Sequence, residues 1–398
     1  MNGSRGDAHV RREEVTPAAR AGAAIAVLDR WLAGTPVEQA LTNWGRASRY
    51  AGSGDRAAVR DIVFDAVRCR RSFAALGGGM TGRGLVLGAL RAAGTDPATL
   101  FTGQGHAPPP PTAADAGHPP EGLDALDCPD WLAPALQASL GPDFAPVMMA
   151  LRHRAPLFLR AHAGRTTRAA AIAALAGEGI RAQPHPLASF AIEVTENARK
   201  VQSGAAYAAG LVEVQDAASQ AVVEALPLTD GARVLDLCAG GGGKTLAMAA
   251  RADLSLHAHD ADPRRMADLA RRAARAGAAV AITMAPESLP AFDLVLADVP
   301  CSGSGSWRRS PDGKWSLTAG RLQALLATQA AILDRAAGLV AAGGCLAYAT
   351  CSLLDAENGA QVAAFRARHP GWQVGAVRRL TPLDGGDGFF LALLRRTA

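Results

Sequence analysis

The sequence predicts an α/β protein: a doubly wound, mainly parallel sheet in its C-terminal half, preceded by an all-helical region and a small α+β segment. Three observations carry this. From about residue 232 onward, short apolar runs bounded by turn residues alternate with helical patterns, the rhythm of a parallel sheet with helical crossovers. Residues 17–100 instead repeat apolar residues at helical spacing only. Between the two lies GQGHAPPPPTAADAGHPPEG (103–122), too rich in Pro and Gly to read as helix or strand.

Residues 1–16 are polar and charged and read as a disordered tail. The helical domain is placed at 17–102, with AARAGAAIAVLDRWLAG (18–34) and the arginine-faced DRAAVRDIVFDAVRCRRSFAAL (55–76) as its clearest helices. A linker is expected at 103–127 and a small α+β segment at 128–205. The parallel-sheet domain is placed at 206–398. Its strands are ARVLDLC (232–238), LSLHAHD (254–260), AVAITMA (279–285), FDLVLAD (292–298), GCLAYAT (344–350) and GFFLALLRR (388–396). Helices are expected through KTLAMAARA, PRRMADLARRAARAG (263–277), about 320–341 and NGAQVAAFRAR (358–368).

At 398 residues and 49% hydrophobic content, the chain has ample material for more than one core. No apolar run reaches the roughly 20 residues of a membrane span, and MNGSRGDAHVRREE lacks the apolar core of a signal peptide. A cytoplasmic protein is therefore expected, without membrane association. Six cysteines with no CxxC pair and no His/Cys cluster predict reduced thiols and no metal site. The net charge of +5 is compatible with a nucleic-acid partner without being specific for one. Of 41 cationic residues, the lysines are Lys200, Lys244 and Lys314, and the last two fall inside motifs where a slender ammonium has survived an arginine bias.

The first strand of the sheet ends in DLCAGGGGKT (236–245) and runs into a helix, so backbone amides should face the crevice at the carboxyl edge. A phosphate loop GxxxxGK[ST] would need glycine where the chain has Cys238, and GxGxxG fits poorly because Lys244 and Thr245 crowd its last position. Asp260 follows about 20 residues after the turn, where a carboxylate binds ribose hydroxyls. Asp262, directly before Pro263, is the better helix cap, which leaves Asp260 for the ligand. Together these favour S-adenosyl-L-methionine (SAM) over NAD or ATP. Two further strands end in DVPCSGSGSWRRSPDGKW (298–315) and YATCS (348–352). If they are neighbours, about 4.8 Å apart, Cys301 and Cys351 share the same crevice and form a paired thiol site. Cys69, Cys128 and Cys345 read as core cysteines.

The stretches DLCAGGGGKT, DVPCSGSGSWRRSPDGKW and ATCS, with VQDAASQ (214–220) ahead of them, resemble the bacterial ribosomal RNA small-subunit methyltransferase B group, within the Nol1/Nop2/Sun family of RNA cytosine-C5 methyltransferases. The resemblance covers roughly 128–398. More weakly, GDRAAVRDIVFDAVR (54–68) is similar to the NusB-like RNA-binding domain of that group. It implies a Rossmann-like class I SAM-dependent methyltransferase domain with SAM as cofactor, acting as a monomer on RNA, with 16S ribosomal RNA as the expected partner. Its SAM-binding positions fall on Cys238, Ala239, Gly240, Gly241, Gly242, Gly243, Lys244, Asp260 and Asp298. Two departures stand out. Gly240 and Gly241 replace the family's Ala-Pro, and the acid expected after the third strand is missing from ITMAPESLP, where Glu287 is a weak substitute.

The resemblance assigns nucleophilic attack on cytosine carbon 6 to Cys351 and product release to Cys301, with Asp298 hydrogen-bonding the base. Carbon 5 is a poor nucleophile until a thiolate adds beside it. A free cysteine is mostly protonated near neutral pH, and Lys314, Arg308 and Arg309 are the candidates to lower its pKa, with the sequence not showing which is close. A paired target base must be extruded, and Trp307 and Trp315 are candidates for stacking on it, with Trp315 the one expected to pack under its loop. Transfer RNA as substrate, and a non-catalytic RNA-binding assembly factor that keeps the fold, are the alternatives.

Overall fold

The structure is a computed structural model and describes residues 15–397. The stretch expected to be a tail (1–16) lies almost wholly outside those residues. The chain divides into two compact units between Asp130 and Trp131.

The first unit is helical, with helices Pro17–Leu32, Val37–Ala47, Ser53–Arg68, Arg70–Gly77 and Gly82–Ala92. The expected helix over 55–76 breaks at Cys69. Past that break, glycines let two helices cross backbone to backbone: a Cβ on Gly88 would sit 1.9 Å from the Phe73 carbonyl oxygen. The Pro-rich stretch is folded onto this unit instead of linking two domains. Arg83 donates to the carbonyls of Pro109 and Pro110 and pairs with Asp115, while Arg91 donates to the Asp115 carbonyl. Prolines lack an N–H, but their carbonyls are open acceptors for a guanidinium fork. The arginine face of 55–76 is largely paired internally, through Arg60–Glu38, Arg68–Asp65 and Arg71–Asp124.

The second unit holds a four-stranded and a seven-stranded sheet. In the first, β1 (Leu157–Ala161), β2 (Arg181–Pro184), β3 (Ala191–Glu196) and β4 (Val212–Val214) pair antiparallel in the order β2-β3-β1-β4. A helix follows β1 and another precedes β4, a split βαβ arrangement. The small segment thus extends to Val214, past the expected end at 205.

The large sheet contains β5 (Arg233–Asp236), β6 (Ser255–Ala258), β7 (Ala281–Ile282), β8 (Phe292–Asp298), β9 (Val340–Thr350), β10 (Trp372–Leu380) and β11 (Phe389–Arg396). Their order is β10-β11-β9-β8-β5-β6-β7. β11 is antiparallel to both neighbours, and the pairings from β9 through β7 are parallel. Alternate residues of the central strands feed a core on each face. Val234, Leu294, Leu296 and Ala347 point to one, and Leu235, Val295 and Leu346 to the other. Truncating a buried leucine such as Leu296 to Ala should cost about 2–5 kcal/mol.

Strand order reverses at β5, so the crevice outside the carboxyl ends of β5 and β8 is the ligand-binding position of this architecture. Three expectations change here. β7 is only two residues, the helix over 263–277 is a 3-10 turn Pro263–Met266 followed by Leu269–Ala276, and β10 was not anticipated. Among the described residues no single helix is long and apolar enough to cross a membrane.

Candidate active site

The chain leaves β5 at Asp236 and turns through 238–243 into the helix Gly243–Ala249. Gly242 N–H closes a tight turn on the Ala239 carbonyl at 2.9 Å, with Gly240 at φ +51° and Gly242 at φ +79°. Only glycine adopts both without strain, and a Cβ on Gly242 would strike the Leu269 side chain at 2.1 Å. Asp260, two residues beyond β6 and 2% exposed, accepts Gly240 N–H through Oδ2 and Asp262 N–H through Oδ1, both at 3.0 Å. It also pairs with Arg265 at 3.2 Å. Asp262 caps the next turn by accepting Arg264 N–H, as its position before proline suggests.

This cradle suits a nucleoside-bearing cofactor. Oδ1 of Asp260, with one donor against two lone pairs, keeps one for a ribose hydroxyl. Asp236, wholly buried, accepts from the Thr245 hydroxyl at 2.7 Å through Oδ2, while its Oδ1 has no partner among the described residues, an acceptor that a hydrogen-bond-donating ligand would satisfy. Burial pushes the Asp236 carboxyl up to about 7, and pushes the Cys238 thiol to about 12, so Cys238 serves the cradle as an uncharged side chain. After β7, Glu287 is committed to Arg335 at 2.6 Å, and Arg335 also contacts His259.

β8 and β9 lie side by side with Asp298 beside Ala349. Their trailing loops bring Cys301 Sγ within 3.4 Å of Cys351 Sγ. A thiol shared in that contact favours one thiolate: the hydrogen bond from Cys301 lowers the Cys351 pKa against the cost of burial, and the same contact, with burial, raises that of Cys301. Lys244 Nζ reaches Asp298 Oδ2 at 2.6 Å and lies 4.7 Å above the Phe389 ring. Burial opposes its charge, but Asp298 outweighs that and holds the ammonium pKa up. The cation that lowers Cys351 is therefore Lys244, whose ammonium lies on Asp298 and not on the glycine turn.

Glu357 is the residue that the sequence reading missed. It has no exposed surface. Its carboxylate accepts Ser302 N–H at 2.8 Å and the hydroxyls of Ser302 and Ser352, and Gln329 donates to it at 2.9 Å. Ser302 follows Cys301 and Ser352 follows Cys351, so one buried carboxylate ties together both cysteine loops. The sequence LLDAEN carries no mark of this.

Arg308 and Arg309 do not face the thiols. Asp387 takes both, and Arg309 also binds Asp216 at 2.6 Å. Lys314 is buried 4.6 Å from the Trp315 ring. The tryptophan packed under the loop is Trp307, where Trp315 was expected. Trp307, 1% exposed, packs beneath the short helix Asp312–Ser316, whereas Trp315 on that helix is half-buried. Among the described residues no group of His, Cys, Asp or Glu is arranged to hold a metal.

Comparison with known proteins accords with this fold. Residues 223–395 match the model of the 16S rRNA methyltransferase RsmB/F family, and residues 128–202 match the ferredoxin-like domain of RsmF/B-like methyltransferases. The ribosomal RNA small subunit methyltransferase B of Xanthomonas campestris pv. campestris is 34% identical over 301 residues, 70% of this chain and 69% of the relative. The chain belongs to the RsmB/F methyltransferase family. It spans about two thirds of the length of the curated relatives it matches. Two crystal structures share the fold. PH0851 has 21% identity, a TM-score of 0.73, and coverage of 96% of this chain and 99% of its own. A methyltransferase homolog protein from Pyrococcus horikoshii has 22% identity, a TM-score of 0.60, and coverage of 69% and 97%. The large sheet is accordingly a Rossmann-like SAM-dependent methyltransferase fold, and the cofactor of the family is S-adenosyl-L-methionine.

Proposed function

We propose that this chain is a SAM-dependent RNA methyltransferase that acts on carbon 5 of a cytosine in small-subunit ribosomal RNA, through an adduct between Cys351 and carbon 6 of the base. The observation that carries the reading is the contact of two strand-end thiols at 3.4 Å beside the Lys244–Asp298 pair. Membership of a 16S rRNA methyltransferase family supports the substrate class.

Cys351, its pKa lowered by the Cys301 hydrogen bond and by Lys244, adds as thiolate to carbon 6, and the electron pair of the 5,6 double bond makes carbon 5 nucleophilic. Lys244 and Asp298 offer the polar edge of the base one donor and one acceptor, and the ammonium stabilises the negative charge that addition brings onto the ring. The turn 238–243 and Asp260 would hold SAM, whose sulfonium would supply an electrophilic methyl group and leave as S-adenosylhomocysteine. Carbon 5 then gives up its proton to water, the pair of the broken carbon–hydrogen bond re-forms the 5,6 double bond, and the bond from carbon 6 to sulfur breaks with its electron pair returning to Cys351. The Cys301 S–H steadies that departing thiolate by the same hydrogen bond that favoured its formation. Glu357 keeps the two loops in register throughout.

The test is nucleoside analysis by mass spectrometry after incubating the protein with SAM and 16S rRNA or bulk transfer RNA. The expected product is 5-methylcytidine in the 16S rRNA, absent with Cys351→Ala. Methylation confined to transfer RNA would replace the substrate, and a methyl group on cytidine N4 or on a ribose would overturn the mechanism.

A further inference from the structure

The turn that holds the cofactor contains four consecutive glycines, Gly240 to Gly243, and such a run loses more backbone freedom on ordering than any other composition. The structure supplies outside support for it. Arg272, on the helix Leu269–Ala276, donates through Nη1 to the Gly241 carbonyl, and its Nη2 reaches Glu213 at 3.3 Å. Arg160, on β1 and 6% exposed, donates to the Gly243 carbonyl at 3.1 Å and to Gln215. Gln215 itself donates to the same carbonyl at 3.2 Å.

These groups form one assembly. Arg160 and Glu213 are cross-strand partners in the β1–β4 pairing, and Gln215, two residues beyond Glu213, emerges on the same side of the chain. Glu213 also takes Arg275 at 2.5 Å, so a buried carboxylate of the small sheet gathers arginines from the helix that flanks the turn. None of them touches the thiols or Asp298.

We propose that Arg272 and Arg160, organised by Glu213 and Gln215, are positioning residues that hold the carbonyls of the glycine turn and so fix its shape for the cofactor. The small sheet is thereby the outer scaffold of the cofactor site. The inference rests on the SAM reading above for its ligand, and on the contacts alone for the order of the turn.

Arg272→Met keeps the aliphatic stem and removes both donors. Calorimetry with S-adenosylhomocysteine should show binding weakened about tenfold, the scale of one hydrogen bond to a charged group. The rate at saturating SAM should stay within about twofold, because the reacting groups are untouched. Without ligand, backbone amides at 240–243 should exchange with deuterium faster than in the parent. Glu213→Gln should act in the same direction, and the double variant should be no weaker than the weaker single, since both act through one network. Arg272→Lys, which can reach the carbonyl but not bridge to Glu213, should fall between the parent and Arg272→Met and stands in if the Met variant does not fold. Unchanged binding and unchanged exchange in a folded variant would overturn the proposal, as would a loss in rate alone. A parent protein that bound no S-adenosylhomocysteine would instead sink the cofactor reading, while the exchange measurement would still decide the clamp.

Discussion

At the carboxyl edge of the large sheet, the turn after β5 and the loops after β8 and β9 border one crevice and are anchored differently. The glycine turn is held at its carbonyls by Arg272 and Arg160, long side chains that reach it from neighbouring elements. The cysteine loops are held from beneath by a fully buried carboxylate, with Ser302 and Ser352 as its straps. The Arg272 guanidinium lies on the carbonyl of the exposed Gly241, which leaves room for small adjustments and suits a turn that must admit and release a cofactor every cycle. A satisfied buried network has little freedom, which suits two sulfurs that must stay within 3.4 Å. Site chemistry that needs a fixed distance is thus built into the core, and ligand exchange is left to the periphery.

The largest break in that comparison should come from Glu357. Glu357→Gln leaves an amide where two serine hydroxyls and two N–H donors converge, so at least one donor loses its partner. The turnover number should fall about 100- to 1000-fold, with S-adenosylhomocysteine affinity within about threefold of the parent, because the glycine turn is anchored elsewhere. Steady-state kinetics paired with calorimetry checks both halves, and a matching loss of affinity would mean that the two anchors are not separate.

Lys244 lies at the junction, since its backbone belongs to the helix after the turn and its ammonium to the thiol side. Lys244→Met should lower the turnover number about 100-fold and move the midpoint of the pH dependence of Cys351 alkylation upward, since a cation that favours the thiolate is gone. An increase in the SAM constant with unchanged turnover would return Lys244 to the cofactor turn, where the sequence alone had placed it.

The smallest effect concerns Asp236. Its folded-state pKa, about 7, lies above the ordinary 3.8, so its protonated form is favoured on folding. That contribution is fully present below pH 3.8 and is lost as pH rises toward and through 7. Asp236→Asn, which still accepts from Thr245 but carries no charge, should be more stable than the parent at pH 8, by a few degrees in Tm, with the gap closing toward pH 4. Thermal melts at the two pH values test the sign, and a gap that widened on acidification would contradict it.

The legibility of this molecule follows the same division. Cys301, Cys351, Asp298 and the glycine turn were readable because each sits where a buried apolar strand ends, and strand ends of a parallel sheet must meet at one edge. Glu357 was not, because its importance comes from folding back under two loops that lie about 50 residues apart in sequence. β10 escaped notice because its residues are mostly exposed and its pairing shifts register between Val374 and Val377, which erases the alternation that marks a strand. The Pro-rich stretch read as a linker because composition does not show that Arg83 would gather its carbonyls. Trp315 was expected under the loop in place of Trp307 because spacing cannot tell which of two rings lies beneath a short helix.

The central claim is that Cys351 bonds to the base and Cys301 lets it go, and trapping tests it most directly. Incubated with SAM and its RNA, Cys301→Ala should accumulate a protein–RNA species that survives denaturing electrophoresis, because addition, slower but still favoured by Lys244, and methylation proceed while the departing thiolate has lost its hydrogen-bond donor. Cys351→Ala should form none, and the double variant should behave as Cys351→Ala does. Trapping by Cys351→Ala would reverse the two roles, and no trapping by either variant while both remained active would contradict the covalent mechanism.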